Sequence, residues 1–306
     1  MIRRKRYKNM DNVVTKKTLR DLMRWQQERK QNKKDLSILI KQSPNKEIIT
    51  LAANRLETSI TWIGHSTFLI QMNGLNMITD PVWAKRMGFQ KRLTEPGISI
   101  ADLPVIDIVF ISHGHYDHLD FRTLRRLKGN PSFFVPVGLG ASFTIRGFKK
   151  VIESEWYDSF IYDDLTFSFV PAQHWTKRTV TDTDTSQWGG WIIESQEHSI
   201  YFVGDTGYFR GFQEIAKKFS IETVLMSIGA YEPEWFMKAS HLNPEDAIQA
   251  FIEMNGTTFI PMHYGTYHLA DDTGPEALER LDAEWNRLEL DTNKLKKLLI
   301  GETLWL

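Results

Sequence analysis

The chain has 306 residues, with 38 Lys plus Arg, 38 Asp plus Glu, nine His and no Cys. Without cysteine there is no disulfide scaffold, no cysteine zinc ribbon, no iron–sulfur cluster and no thiol nucleophile, so any metal site must use His and carboxylate ligands. The zero net charge conceals a split. Residues 1–34 carry thirteen Lys and Arg, from Arg3, Arg4, Lys5 and Arg6 to Lys33 and Lys34, against Asp11, Asp21 and Glu28; that is +10 there and −10 over the other 272 residues.

In chain order, residues 1–56 are expected to form a basic, mainly helical N-terminal extension. Leu19, Leu22 and Met23, with Trp25 nearby, make a short apolar stripe between basic positions. Such a segment either packs on the domain by its stripe or rests on anionic lipid as an amphipathic helix. No apolar run has the length of a signal peptide or a membrane span, so a cytoplasmic location is expected, with peripheral contact to an anionic membrane through residues 1–34.

Residues 57–306 read as one α/β domain. Short apolar runs at 59–63, 67–72 and 75–79 are strands, and Asn73-Gly74 between the last two is a hairpin signal. The continuous run 106–112 suits a strand buried on both faces, with a helix over 121–128. Further strands are expected at 132–135, 165–170, 190–194, 199–203, 223–228 and 257–261, and helices at 212–219, 243–254 and 275–288. The helix at 243 starts with Asn243 as N-cap, Pro244 in the first position and Glu245 and Asp246 in the first turn.

The densest chemistry is His113-Gly114-His115-Tyr116-Asp117-His118, directly after the buried strand. At a strand end, His113 and His115 point the same way and can grip one cation, while Asp117 and His118 beyond the turn can face a second. Three more ligand-type residues follow apolar strands in the same register: His174, Asp205 and His263. A solitary histidine or aspartate in such a place is usually structural; together with the upstream cluster they suggest a binuclear site. Asp205 suits a bridge, because a carboxylate has two oxygens to share.

The succession of Asp80, the H-x-H-x-D-H motif at 113–118, His174, Asp205 and His263 resembles the metallo-β-lactamase superfamily over residues 57–270. Gly64-His65-Ser66-Thr67, Gln173-His174-Trp175, Trp188-Gly189-Gly190-Trp191, Gly204-Asp205-Thr206-Gly207-Tyr208, Trp235-Phe236-Met237-Lys238, His241-Leu242-Asn243-Pro244-Glu245 and His263-Tyr264-Gly265-Thr266 are similar to the branch containing N-acyl-phosphatidylethanolamine-hydrolysing phospholipase D. The resemblance implies a four-layer αβ/βα sandwich with two zinc ions at one edge of the sheets. It implies that His113, His115 and His174 hold the first metal, that Asp117, His118 and His263 hold the second, and that Asp205 bridges them. Asp80 then supports the site by hydrogen bonding, and His241 assists the reaction near the metals. His65 is expected to buttress the site from the first strand, and His198 to lie at the surface. Iron or manganese also suits the donor set.

The activity expected is hydrolysis of a phosphodiester, as in phospholipase D, by a metal-bridging hydroxide, with Asp117 and Asp205 orienting the water and His241 stabilising charge or protonating the leaving oxygen. Motif-loop aromatics, Trp175, Trp235, Phe236 and Tyr264 among them, either fill space between layers or line an apolar groove for a phospholipid or other small-molecule substrate. A lactonase or other hydrolase of the same fold is one alternative; a non-catalytic metal-binding membrane or partner adaptor acting through the basic N-terminus is another. The acidic body disfavours nucleic acid as a partner.

Overall fold

A computed structural model describes residues 5–306; Arg3 and Arg4 of the basic stretch lie outside them. The N-terminal part contains α1 (Leu19–Gln31), α2 (Ile48–Ala53) and a single 3₁₀ turn at Met10–Asn12. The rest of it is extended, which corrects the expectation of a mainly helical segment. The reason is that the body takes up its polar backbone: the Tyr7 N–H donates to the Asp184 carbonyl at 2.8 Å and the Ser43 N–H to the Ile300 carbonyl at 2.9 Å. Of the two placements expected for the stripe, packing on the domain does not extend to its aliphatic residues, since Leu19 is 80% and Met23 70% exposed. Trp25 makes the contact instead, against Phe236 at 4.8 Å between ring centres.

From residue 59 the chain lays down β1 (Ser59–Gly64), β2 (Thr67–Met72), β3 (Leu75–Thr79), the small hairpin β4 (Arg86–Met87) and β5 (Gln90–Lys91), then β6 (Ile108–Phe110), α3 (Phe121–Leu124), β7 (Ser132–Pro136), α4 (Gly140–Thr144) and β8 (Val151–Ser154). The second half has β9 (Ser159–Tyr162), β10 (Leu165–Pro171), β11 (Gly189–Glu194), β12 (Ser199–Phe202), α5 (Gly211–Ala216), β13 (Thr223–Ser227), α6 (Glu234–Met237), α7 (Pro244–Glu253), β14 (Thr258–Met262), α8 (Gly274–Arg287) and β15 (Thr303–Trp305). The strands form a seven-stranded sheet, β15-β1-β2-β3-β6-β7-β8, and a six-stranded sheet, β14-β13-β12-β11-β10-β9.

Side-chain alternation explains the layers. In the first sheet Trp62, Phe68, Ile70, Met77, Ile108, Phe110 and Phe134 turn inward and join Phe167, Phe169 and Trp191 of the second sheet. Their neighbours Ile63, Leu69, Ile78, Val109, Phe133 and Val135 turn outward and pack under Leu51 of α2, Phe121 and Leu124 of α3 and Phe143 of α4. On the far side α5, α7 and α8 cover the second sheet with Ile215, Phe251, Leu281 and Trp285. The result is helix, sheet, sheet, helix.

Local signals behave as their chemistry dictates. Asn73 and Gly74 both have positive φ, 48° and 78°, which the tight β2–β3 turn requires. The Asn243 side chain accepts from the Asp246 N–H at 2.7 Å, capping α7. The helix expected over 121–128 is a single turn, α3, whose end breaks into turns before β7. Short β8 and β9, the edge strand β15, and α4 and α6 had no clear periodicity.

Candidate metal centre

The site lies where the strands end. After β3, Asp80 is fully buried; after β6 comes the loop carrying His113, His115, Asp117 and His118; His174, Asp205 and His263 follow β10, β12 and β14. His65 sits in the β1–β2 turn and His241 just before α7. Three of these junctions hold non-glycine residues in left-handed backbone: His65 at φ 55°, Asp80 at φ 33° and His263 at φ 65°. Such conformations persist only where surrounding contacts over-determine them, and they concentrate at functional sites.

The structure brings all ten expected residues together, in two adjoining clusters. In the first, His115 Nδ1 lies 2.9 Å from His113 Nε2 and 3.2 Å from His174 Nε2. In the second, His118 Nε2 lies 3.3 Å from His263 Nε2 and 3.4 Å from Asp117 Oδ2, and His65 Nε2 is 3.1 Å from the same oxygen. Asp205 stands between them: Oδ2 is 3.2 Å from His118 Nε2 and 3.9 Å from His174 Nε2, while Oδ1 is 3.1 Å from His263 Nε2. Asp80 is set back. It accepts from His118 Nδ1 at 2.6 Å, from the Ser112 N–H at 2.7 Å and from Ser112 Oγ at 2.5 Å.

The far nitrogens decide which ring atoms face inward. His118 Nδ1 donates to Asp80, His174 Nδ1 donates to the Ser240 carbonyl at 2.9 Å, and His113 Nδ1 donates to Ser112 Oγ at 2.9 Å. With their protons held outside, these rings turn Nε2 lone pairs toward one another and toward Asp205. Lone pairs at such distances repel unless a cation is shared among them, and a ligating imidazole is neutral. His115 Nε2, His263 Nδ1, His241 Nδ1 and Asp205 Oδ1 are buried without a hydrogen-bond partner.

The electrostatics make the same demand for positive charge. Burial opposes a proton on His118, yet Asp205, Asp117 and Asp80 hold its pKa well above the ordinary histidine value. Burial likewise works against His263, and Asp205 and Asp117 bring it to about 9. Asp205 and Asp117 stay well below the usual carboxylate range despite burial, held there by His118 and His263. The outer histidines behave oppositely: burial lowers His174 and His241 to about 3 and His115 to about 4. The donor set of imidazole nitrogens and carboxylate oxygens, converging on a centre that demands cations, fits divalent metal. Four overlapping groups of three or four His and Asp ligand atoms lie within 4.8 Å of one another: His113, His115 and His174; His65, Asp117, His118 and His263; Asp80, His113 and His118; and His174, Asp205 and His241.

His241 Nδ1 is 3.8 Å from Asp205 Oδ2. Its Nδ1 has no hydrogen-bond partner. His198 is half-buried beside Glu222, Nδ1 to Oε2 3.1 Å, rather than at the open surface.

Several supporting residues carried no signal in the sequence. Ser112 ties His113 to Asp80, Ser240 orients His174, and Arg178 Nη1 donates to the carbonyls of Gly114, His115 and Leu119. Asn9 grips the backbone of His174 across a separation of 165 residues. Only the position of Ser112, next to the first histidine of the motif, offered a hint.

The centre opens into a cavity of about 1480 Å³. His115, Asp117, Asp205, His241 and His263 form its floor. Its lining mixes apolar residues, Leu19, Leu22, Trp25, Phe236, Met237 and Leu269, with cations, Lys85, Arg86, Arg122, Arg125, Arg126 and Lys177, and Lys17 lies over the Phe236 ring at 5.2 Å. A body of net −10 therefore gathers cations at this opening.

A family model described as a beta-lactamase superfamily domain matches residues 75–264. The chain belongs to the metallo-β-lactamase superfamily and has its fold. It is 37% identical over 242 residues to an uncharacterized protein of Mycobacterium tuberculosis, covering 75% of this chain and 64% of that one. It is 36% identical over 226 residues to N-acyl-phosphatidylethanolamine-hydrolyzing phospholipase D 1 of Caenorhabditis elegans, covering 68% of this chain and 64% of the worm protein. The chain thus spans less than two thirds of the length of these curated relatives. Among solved structures, Igni18, a metallo hydrolase of Ignicoccus hospitalis, superposes with a TM-score of 0.65 at 22% identity, covering 82% of this chain and 99% of that one; this likeness speaks to the fold.

Proposed function

We propose that the chain is a binuclear zinc-dependent hydrolase that cleaves a phosphodiester in a lipid or lipid-like molecule, as a phospholipase D does. The observation that carries this reading is the cavity above the candidate metal centre, whose lining combines cations that suit a phosphoryl group with apolar residues that suit hydrocarbon. A neutral lactone needs no such cations, which weighs against the lactonase alternative. The name of the worm relative supports the same substrate class. His113, His115 and His174 would hold one zinc, Asp117, His118 and His263 the other, and Asp205 would bridge; iron or manganese suits the same donors. Two such ions supply an acidified water and electrophilic help at the phosphoryl oxygens.

The side chains do the rest. Asp117 and Asp205 accept hydrogen bonds from the attacking water and turn its lone pair toward phosphorus. His241, with an unpartnered Nδ1 beside Asp205, donates a hydrogen bond to the phosphoryl or leaving oxygen. Asp80 keeps the His118 ring in one tautomer and orientation. His65 steadies Asp117. The apolar lining excludes bulk water and seats an acyl chain.

We also place this opening against a membrane surface. Leu19, 80% exposed, and Leu22 line it together with Lys16, Lys85 and Arg86, and the exposed Phe89 follows Gly88 of the same lining, a pattern that suits anionic lipid. Among the described residues no helix is long and apolar enough to cross a membrane.

The test is metal analysis of the full chain together with hydrolysis of three substrates: vesicles containing an N-acylated phosphatidylethanolamine, a soluble phosphodiester and a lactone. Two metals per chain and cleavage of the phosphodiesters are expected. Cleavage of the lactone alone would overturn the substrate class, and inert protein carrying two metals would favour the adaptor reading.

A further inference from the structure

Of the seven ligands assigned above, His174 is the one whose own backbone groups are held from outside residues 57–306: its neighbour Gln173 is tied to Thr206 and Gly207 and its ring to Ser240, but its N–H and carbonyl meet only the N-terminal segment. It lies in the irregular stretch 172–188 between β10 and β11, and its backbone N–H and carbonyl have no main-chain partner among the described residues. Other ligand loops are braced from within residues 57–306: Arg178 gathers the carbonyls of the 113–119 loop, and the His263 N–H donates to the His65 carbonyl at 3.2 Å. For His174 the brace comes from the N-terminal segment. Asn9 Oδ1 accepts from the His174 N–H at 2.9 Å, and Asn9 Nδ2 donates to the His174 carbonyl at 2.9 Å. Thr15 Oγ1 donates to the same carbonyl at 3.4 Å.

We propose that Asn9 is a positioning residue for the metal ligand His174, and that the strap formed by residues 5–18 completes the metal centre. The inference rests on the ligand assignment above and adds a residue to it. Asn9 and Thr15 are both buried, so water cannot replace their hydrogen bonds. The same Asn9 oxygen also accepts from Trp188 Nε1 at 2.9 Å, which ties the two ends of the loop to one group. Asn9 Nδ2 makes a second, weaker donation to the Val13 carbonyl at 3.2 Å. One planar amide is thus used on both sides, and few side chains can do this. Aspartate has the acceptor but no donor, alanine has neither, and glutamine carries its amide one methylene further out. The strap is in turn laid along the loop. The Tyr7 N–H donates to the Asp184 carbonyl at 2.8 Å, and Lys16 pairs with the Asp184 carboxylate at 3.2 Å. On this view the strap and residues 57–306 act as one unit at the site.

Zinc affinity of the full chain, measured by competition with a chromophoric chelator, tests the proposal. Thermal unfolding of the metal-free protein is followed in parallel. Wild type is expected to bind two zinc ions. Asn9→Ala should weaken one of them by about 10–100-fold and leave the other as it was, the size of effect seen when a group orienting a ligand is removed. Asn9→Asp should weaken the same ion, and Thr15→Val should do so less. Arg210→Ala, which breaks the exposed pairs to Asp11 at 2.6 Å and to Glu214, should leave both affinities unchanged. Should Asn9→Ala fail to fold, Asn9→Asp and Thr15→Val decide the matter. Unchanged affinities in the Asn9 variants overturn the proposal. So does an equal weakening of both ions that merely tracks a lower unfolding temperature of the metal-free protein. Wild type that binds fewer than two ions overturns the ligand assignment, which is a different result.

Discussion

The N-terminal strap and the sandwich beneath it are joined to the molecule by different physics. The sandwich is held by apolar burial: Trp191, Phe110 and Phe167 are fully buried between the sheets, with ring centres about 5 Å apart, 5.1 Å for Phe110–Trp191 and 4.9 Å for Phe110–Phe167. Helix α1 contributes no buried residue at all. Apart from the Trp25–Phe236 contact, it is attached by polar contacts: Trp25 Nε1 to Asp271 at 2.7 Å, Arg29 to Asp271 at 3.1 Å, and Trp235 Nε1 to Glu28 at 2.9 Å, with Arg24 over the Trp235 ring. The difference separates two tasks. Burial sets global stability, whereas directional polar contacts set the aim of a loop and the shape of an opening.

The comparison is broken most severely at the metal centre. Asp205→Ala removes the carboxylate shared by both clusters and should lower phosphodiester hydrolysis on the order of 10³-fold or more, since metal assistance is worth several kcal/mol. Retained activity would place the bridge elsewhere. In the core, Trp191→Ala should cost about 3–5 kcal/mol of unfolding free energy, read by denaturant titration. Trp25→Ala should behave unlike it. Global stability should move by no more than about 1 kcal/mol, the worth of one net hydrogen bond, while amide exchange quickens in residues 5–34. A loss as large as that of Trp191→Ala would mean that strap and sandwich unfold together.

The smallest effect concerns the loop that receives the strap. Asp272, next to Asp271, is buried and accepts from the Ala230 N–H at 3.0 Å and the Glu232 N–H at 3.2 Å. Burial outweighs these donors and raises its pKa to about 6. Between pH 4 and pH 6 the folded chain keeps a proton that the unfolded chain has lost, so this residue's contribution is full at low pH and disappears as pH rises through about 6. Lowering the pH from 7 to 5 should therefore raise the stability of wild type relative to Asp272→Asn by about 1 kcal/mol, measured by denaturant unfolding at both values. The opposite sign would mean that the backbone donors dominate.

Where a residue's role is local, the sequence made it readable. Apolar runs announced β1, β2, β3 and β6 because both faces of these strands are covered. The histidines and aspartates stood out because nothing else explains such groups at the ends of buried strands. The short β9 was missed because its residues are alternately exposed and half-buried, with no apolar face long enough to count. The α1 stripe misled because its spacing is helical while only Trp25 reaches an apolar neighbour, Phe236, and Leu19 and Met23 stay exposed. Asn9 was invisible for another reason: the atoms it serves lie 165 positions away, and no periodicity links them. The left-handed backbone at His65, Asp80 and His263 is likewise imposed by the assembled strand ends.

The pairing of β1 with β15 has a consequence for biosynthesis. Ser59, Ile60 and Thr61 are in register with Trp305, Leu304 and Thr303, and the Thr61 and Thr303 hydroxyls meet at 2.9 Å. These two threonines are 242 residues apart. At a translation rate of about 5–20 residues per second, β1 waits on the order of ten to fifty seconds for its outer neighbour. During that time one border of the first sheet is an open row of amides and carbonyls. A growing chain is then most exposed to mispairing on the strand it makes first, and a chaperone that shields that border acts well before His263 of the candidate metal centre has been synthesised.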